Sequence, residues 1–213
     1  MLLAQDIFGQ TAWHMAAEKN SAQALKKIWE LADAVTPTLT HSLLLSQDKE
    51  NRTAWQLAAE EGHIDMVEKL WGLAKETQIK HSELQNKLLL AQGSEGRTAW
   101  LVAAQRGSVE LIDKLWGWAK EELSSPELLK NKLLLSRDKH GVSAWQLMAM
   151  TGNVEILGKL WGWAKELQLK PEELRNELLL SKDESGQTAW HMAAERGHVD
   201  VLEKIWDWAK KRN

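Results

Sequence analysis

The chain has no cysteine among its 213 residues, which excludes a disulfide framework or a thiolate metal site and leads us to expect a reducing, cytoplasmic location. No apolar run approaches the roughly 20 residues that a membrane-spanning helix needs. The opening Met1-Leu2-Leu3-Ala4-Gln5-Asp6 also lacks the charged and apolar regions of an export signal. Charge of one sign is missing too: 27 Lys and Arg are interleaved with 30 Asp and Glu for a formal net charge of -3, so there is neither a basic field for nucleic acid nor an acidic tail. Neither nucleic acid nor a membrane is therefore expected as a partner. Catalytic signatures are absent as well, with no Gly-rich phosphate loop, no His-Glu-x-x-His helix and no serine elbow. We expect no enzymatic activity and no cofactor.

What is present is repetition. Five related segments begin at Met1, Leu43, Leu88, Leu133 and Leu178. Each carries a Thr/Ser-Ala-Trp triplet, centred on Ala12, Ala54, Ala99, Ala144 and Ala189, and the triplet tryptophans step by 42, 45, 45 and 45 residues. A period of this size is the signature of stacked repeats in which each unit contacts mainly its neighbours. The expected organisation is one all-α helical repeat solenoid over residues 1–213, divided 1–42, 43–87, 88–132, 133–177 and 178–213. Met1-Leu2-Leu3-Ala4 aligns with Leu88-Leu89-Leu90-Ala91, so the chain opens inside the repeating unit. Only Lys210-Lys211-Arg212-Asn213 resembles a polar terminal cap, and we expect either further repeats upstream or end-to-end self-association through the uncapped first repeat.

Within the fourth unit, Asp138-Lys139-His140-Gly141 reads as a turn, because Asp bonds its own following backbone and Gly accepts positive φ. Ser143 then caps a first helix over about Ala144 to Thr151, which Gly152-Asn153 ends. The second helix carries Val154, Ile156, Leu157, Leu160, Trp161, Trp163 and Ala164, more than one apolar stripe, as expected between neighbouring repeats. A third, short helix begins near Pro171, a residue favoured in the first turn, and Ser125-Pro126-Glu127 opens its counterpart one repeat earlier.

These residues resemble the ankyrin repeat family. In the fifth unit the turn Asp183 and Gly186, then Thr188, Ala189-Trp190-His191, Ala193-Ala194 and Gly197-His198 follow the family's order, with Ala-Trp where Pro-Leu is usual. The common repeat is about 33 residues, so the 45-residue spacing predicts a long variant with the third helix as the extra segment. The histidine persists only at His14 and His191 and becomes Gln56, Leu101 and Gln146, so helix-one packing is expected to differ. The resemblance implies that this histidine bonds loop backbone and the nearby threonine. His14 with Glu18, and His191 with Glu195, also stand four apart as a metal pair would, but without a third ligand. His63 and His198 read as turn residues, and His41, His81 and His140 as solvent-exposed.

Thirteen tryptophans invite a sugar- or lipid-binding ridge, yet most hold fixed repeat positions. Trp13, Trp55, Trp100, Trp145 and Trp190 form one set, and Trp29, Trp71, Trp116, Trp161 and Trp206 another sixteen residues on. Both are expected in the core. Trp118, Trp163 and Trp208, matched by Leu31 and Leu73, form a third apolar set.

The resemblance implies a protein-interaction module whose concave face is lined by turn tips and first helices. The positions that differ most between repeats fall there. The candidate partner-binding residues are Ile7, Phe8 and Gln10; Lys49, Glu50 and Arg52; Ser94, Glu95, Arg97 and Arg106; Lys139, His140, Val142 and Met150; and Glu184, Ser185 and Arg196. Phe8 is the only phenylalanine, and with Ile7, Val142 and Met150 it offers apolar anchors, while the arginines would steer a protein partner. Met148, where other repeats have Ala16, Ala58, Ala103 and Ala193, reads as local repacking. The alternatives are a structural spacer without a specific ligand and a carbohydrate or lipid binder using a tryptophan ridge.

Overall fold

A computed structural model of the chain describes residues 1–77, 85–123 and 125–210; His81 and Lys211-Arg212-Asn213 lie outside them. The described residues are helical apart from turns and the isolated antiparallel bridges Gln47–Thr53 and Arg137–Ser143. None of these helices is long and apolar enough to cross a membrane. The chain divides into two compact units, Met1–Ala99 and Trp100–Asn213.

The first unit holds α1 (Ala12–Glu18), α2 (Ala22–Asp33), α3 (Pro37–Leu45), α4 (Ala54–Glu61), α5 (Ile64–Glu76) and the π-helical α6 (Gln85–Leu89). The second holds the body of α7 (Ala99–Arg106), then α8 (Val109–Glu122), α9 (Pro126–Leu128), α10 (Ala144–Thr151), α11 (Val154–Glu166), α12 (Pro171–Glu173), α13 (Ala189–Arg196) and α14 (Val199–Lys210). Both α9 and α12 run directly into π-helical turns, Leu129–Leu134 and Leu174–Leu179.

Each boundary follows from a local residue choice. Extended Thr11, Thr53, Ser143 and Thr188 precede the first helices, and each forms a capping box with the third helical residue. First helices α4, α10 and α13 stop at left-handed Gly62, Gly152 and Gly197, while Asn20 takes that conformation in the first repeat. All three prolines, Pro37, Pro126 and Pro171, sit in the first turn of the short third helices, where the missing N–H is no loss. The leucine pairs Leu43-Leu44, Leu88-Leu89, Leu133-Leu134 and Leu178-Leu179 that follow are buried.

Tryptophan packs the seam between the first and second helix of every repeat. Ring centroids lie 5.6 Å apart in Trp13/Trp29 and 5.9 Å in Trp55/Trp71 in the first unit. In the second unit they lie 6.1 Å apart in Trp100/Trp116, 5.9 Å in Trp145/Trp161 and 6.2 Å in Trp190/Trp206. The third set reaches across repeats: Trp163 stacks on Trp116 at 4.5 Å and Trp208 on Trp161 at 4.9 Å. The indole N–H groups of Trp13, Trp100, Trp116 and Trp145 are buried without an acceptor, a cost of about 1–3 kcal/mol each. Burying the 150–250 Å² of a tryptophan returns roughly 4–6 kcal/mol at 25 cal/mol per Å², so apolar area decides the choice of residue.

One expectation is corrected here. Trp190 and Trp206 are not core residues but are 38% and 52% exposed. In the two preceding repeats the equivalent pair is covered by the next repeat's Trp163 or Trp208; in the fifth no described ring takes that place, and the Lys210 ammonium lies over the Trp206 ring at 5.0 Å from its centroid. Trp29 is half-buried.

Truncating Trp145 to Ala should destabilise the chain by about 3–5 kcal/mol in chemical denaturation. Trp163→Leu should cost less than half as much, because Leu73 fills the equivalent position in the first unit.

Candidate recognition surface

The turn tips are built by one device. Asp6 Oδ1 accepts from the N–H groups of Phe8 and Gln10, at 2.9 and 2.8 Å. Asp48 does the same for Glu50 and Arg52, Asp138 for His140 and Val142, and Asp183 for Ser185 and Gln187. The residue closing each tip has positive φ: Gly9, Asn51, Gly96, Gly141 and Gly186. In the third repeat Gly93 replaces the aspartate, and backbone bonds hold the tip, from Gly93 N–H to the Arg97 carbonyl at 3.0 Å and from Gly96 N–H to the Gly93 carbonyl at 3.2 Å.

Neighbouring tips are also tied together. Lys49 N–H donates to the Phe8 carbonyl and Glu184 N–H to the His140 carbonyl, both at 3.0 Å. Lys49 Nζ donates to the Ile7 carbonyl at 2.8 Å, and Ser94 Oγ to Glu50 Oε2 at 3.1 Å. Arg137 donates to the carbonyls of Gly141 and Lys182 and bonds Ser181 Oγ. The tips are therefore tied into a row within each unit by backbone bonds and by the side chains of Lys49, Ser94 and Arg137.

In the first two repeats the residue after the tip meets the end of its own first helix, eight positions on. Gln10 Nε2 donates to Glu18 Oε2, and Arg52 Nη1 to Glu60 Oε2, both at 3.2 Å. The same two positions are Val142 and Met150 in the fourth repeat, where an apolar pair replaces the polar ones. Arg52 is the most committed side chain: it also pairs with Asp48 at 2.9 Å and Glu50 at 3.3 Å. Burial opposes its charge, but these carboxylates outweigh that and hold its pKa raised. Burial raises the Glu60 carboxyl, against the pull of Arg52.

Beneath the tips, a polar side chain at the third position of the first helix joins adjacent repeats. His14 Nδ1 accepts from Thr11 N–H at 3.2 Å and lies 2.8 Å from Thr11 Oγ1, while Nε2 bonds the Ser46 carbonyl at 3.1 Å. With both ring nitrogens so engaged, the structural role implied by the resemblance is the one observed, and His191 repeats the Thr188 half of it. The expectation that glutamine alters helix-one packing is corrected. Gln56 Oε1 accepts from Thr53 N–H at 2.9 Å and its Nε2 donates to the Ala91 carbonyl at 2.8 Å. Gln146 does likewise with Ser143 and the Gln187 carbonyl. The turn residues add a second link: His63 and His198 each bond the end of the preceding first helix, at the Glu18 and Met150 carbonyls, both at 3.0 Å.

Of the residues singled out in the sequence, Ile7, Phe8, Lys49, Glu50, Arg106, Lys139, His140, Glu184, Ser185 and Arg196 are exposed. Gln10, Arg52, Ser94, Glu95, Arg97, Val142 and Met150 are half-buried, and Met148 is fully buried. Ile7 and Phe8, at 77% and 63%, are the most exposed large apolar side chains of the group. His41 is half-buried rather than solvent-exposed. Glu18 and Glu60, at the variable ends of the first helices, are bonded to Gln10 and Arg52, an eight-residue spacing that is constant in the sequence. Among the described residues, no three His, Asp or Glu side chains gather as a metal site would require.

Residues 185–207, which run from the fifth tip through α13 into α14, match the family model of the ankyrin repeat. The same tip, first helix, left-handed stop and second helix recur along the chain, and this helical repeat architecture is consistent with the ankyrin resemblance. Such repeats are in general protein–protein interaction modules. No curated protein matches the chain.

Two outcomes follow for this surface. Burial lowers the His14 pKa, so the folded ring resists protonation: its stabilisation is complete above about pH 6.5, the unfolded value, and declines as pH falls towards and through the folded value. His14→Gln, which keeps both hydrogen bonds, should change stability at pH 7 by less than about 1 kcal/mol and flatten the loss between pH 6.5 and 5 in denaturation series. Arg52→Ala should cost about 1–2 kcal/mol by the same measurement, since it strands the buried Asp48 and half-buried Glu60 carboxylates.

Proposed function

We propose that the chain acts as one five-repeat solenoid over residues 1–213, a cytoplasmic protein-binding module that grips its partner through the turn tips and the ends of the first helices. The observation that carries this reading is the division of labour at the tips. Backbone and aspartate bonds that fix the tip geometry recur, whereas the side chains they present differ in every repeat. A surface ordered before binding loses little conformational entropy on association. Ile7 and Phe8 on the first tip, and Val142 and Met150 in the fourth repeat, supply apolar anchors; Arg106, Lys139 and Arg196 supply exposed charge for orientation. The partner is a protein, because the charge balance offers no field for nucleic acid. Lodging of Trp163 and Trp208 in the packing between repeats weighs against a tryptophan ridge for sugars or lipid.

The test is affinity capture from cell extract read by mass spectrometry, followed by titration of the purified partner. The native chain is compared with a variant carrying Phe8→Glu, Val142→Glu and Met150→Glu, its fold checked by circular dichroism. Arg52 is left intact because its role is in the fold. A protein bound by the native chain and weakened at least tenfold in the variant supports the assignment. Equal binding by both overturns the surface, and absence of any specific partner favours a spacer.

A further inference from the structure

In the second unit, the third and fourth repeats each receive a tryptophan from the repeat that follows, and the third also receives a lysine. Trp163 lies 5.9 Å from Trp100 and stacks on Trp116 at an interplanar angle of 13°. Trp208 lies 5.5 Å from Trp145 and stacks on Trp161 at 12°. Lys159 Nζ reaches back to Asp113, at 2.9 and 2.7 Å from its two oxygens. The interface thus has a receiving half, a tryptophan pair to which the third repeat adds an acid at the edge, and an inserting half, an apolar side chain with a lysine four positions before it.

The fifth repeat carries an exposed receiving half. Trp190 and Trp206 form the pair, Val199 beside them is 60% exposed, and a shallow apolar groove of about 290 Å³ is lined by Trp190, Val199, Leu202, Glu203 and Trp206. Glu203 occupies the repeat position of Asp113. The first repeat carries an exposed inserting half. Leu31, 44% exposed, holds the position of Trp163 and Trp208, and exposed Lys27 holds that of Lys159. Leucine is already used at this position within the chain, at half-buried Leu73.

We propose that the α13–α14 face is a docking site for the first repeat of a second copy of this chain, joined head to tail through Leu31 on Trp190/Trp206 and Lys27 on Glu203. The junction continues the register of the interfaces between repeats, and the charges complement one another as Lys159 and Asp113 do. A tail-to-tail pairing would bring tryptophan to tryptophan and set Glu203 near Glu203, a like-charge arrangement. Because the two surfaces differ, each added copy leaves one free face of each kind, and assembly is not limited to a dimer. This site is separate from the tip surface, so it stands or falls independently of the proposed partner binding.

Sedimentation velocity of the full chain, from about 1 to 300 μM, tests it. The expected result is a weight-average mass that rises with concentration past that of a dimer. Glu203→Lys and Lys27→Glu, both at exposed positions, should each weaken association at least tenfold, and the two together in one chain should restore it to within threefold. Monomer at every concentration overturns the proposal. So does association that Trp206→Ser abolishes but Lys27→Glu leaves unchanged, which marks tail-to-tail pairing, or a double variant that fails to recover while circular dichroism confirms its fold.

Discussion

Each repeat leaves a tryptophan pair open on one side, and within the second unit the next repeat closes it with a third ring. Trp116 and Trp161 are finished only when Trp163 and Trp208 lie on them at 4.5 and 4.9 Å. An offset pair of this kind contributes about 0.5–1.5 kcal/mol beyond the area it buries, and the ring faces are otherwise left to water. A repeat therefore cannot complete its core alone, which is the physical basis of nearest-neighbour stability in stacked repeats. The charged pairs on the same seam, Lys159 with Asp113 and Lys120 with Glu166, are partly exposed and contribute less; they fix register more than they hold the stack.

Order at the tips depends on that stacking. The backbone bonds Lys49 to Phe8 and Glu184 to His140 exist only if adjacent repeats keep their spacing, and the side-chain links beneath them from His14, Gln56 and Gln146 span the same gap. Histidine and glutamine are interchangeable here because each places one acceptor and one donor at a similar separation. Leu101, fully buried in the third repeat, brings neither group to that position. With geometry held from below, the tip side chains differ between repeats, although Lys49, Ser94 and Arg52 also bond neighbouring groups.

Most of the architecture was legible because each signal is local. Aspartate and glycine at the tips, Thr or Ser before Ala-Trp, glycine after the first helix and proline at the third helix each act within a few residues, and their recurrence removed ambiguity. What the sequence did not disclose depends on neighbours. Trp190 and Trp206 are the same residue type at the same position as buried rings, and their exposure is a property of what packs on them. The equivalence of Gln56 and Gln146 with His14 required the loop carbonyls of the following repeat. Arg52 read as a steering charge until Asp48, Glu50 and Glu60 were seen around it, and the π-helical turns after α9 and α12 have no simple sequence mark.

The most direct measurement of this coupling is residue-resolved native-state hydrogen exchange by NMR across a denaturant series. If stacking orders the tips, the amides of Lys49 and Glu184 should open with free energies and denaturant dependence matching the first helices of the repeats they join. Exchange of those two amides at the fast, denaturant-independent rate of a free loop, while the helices stay protected, would contradict it.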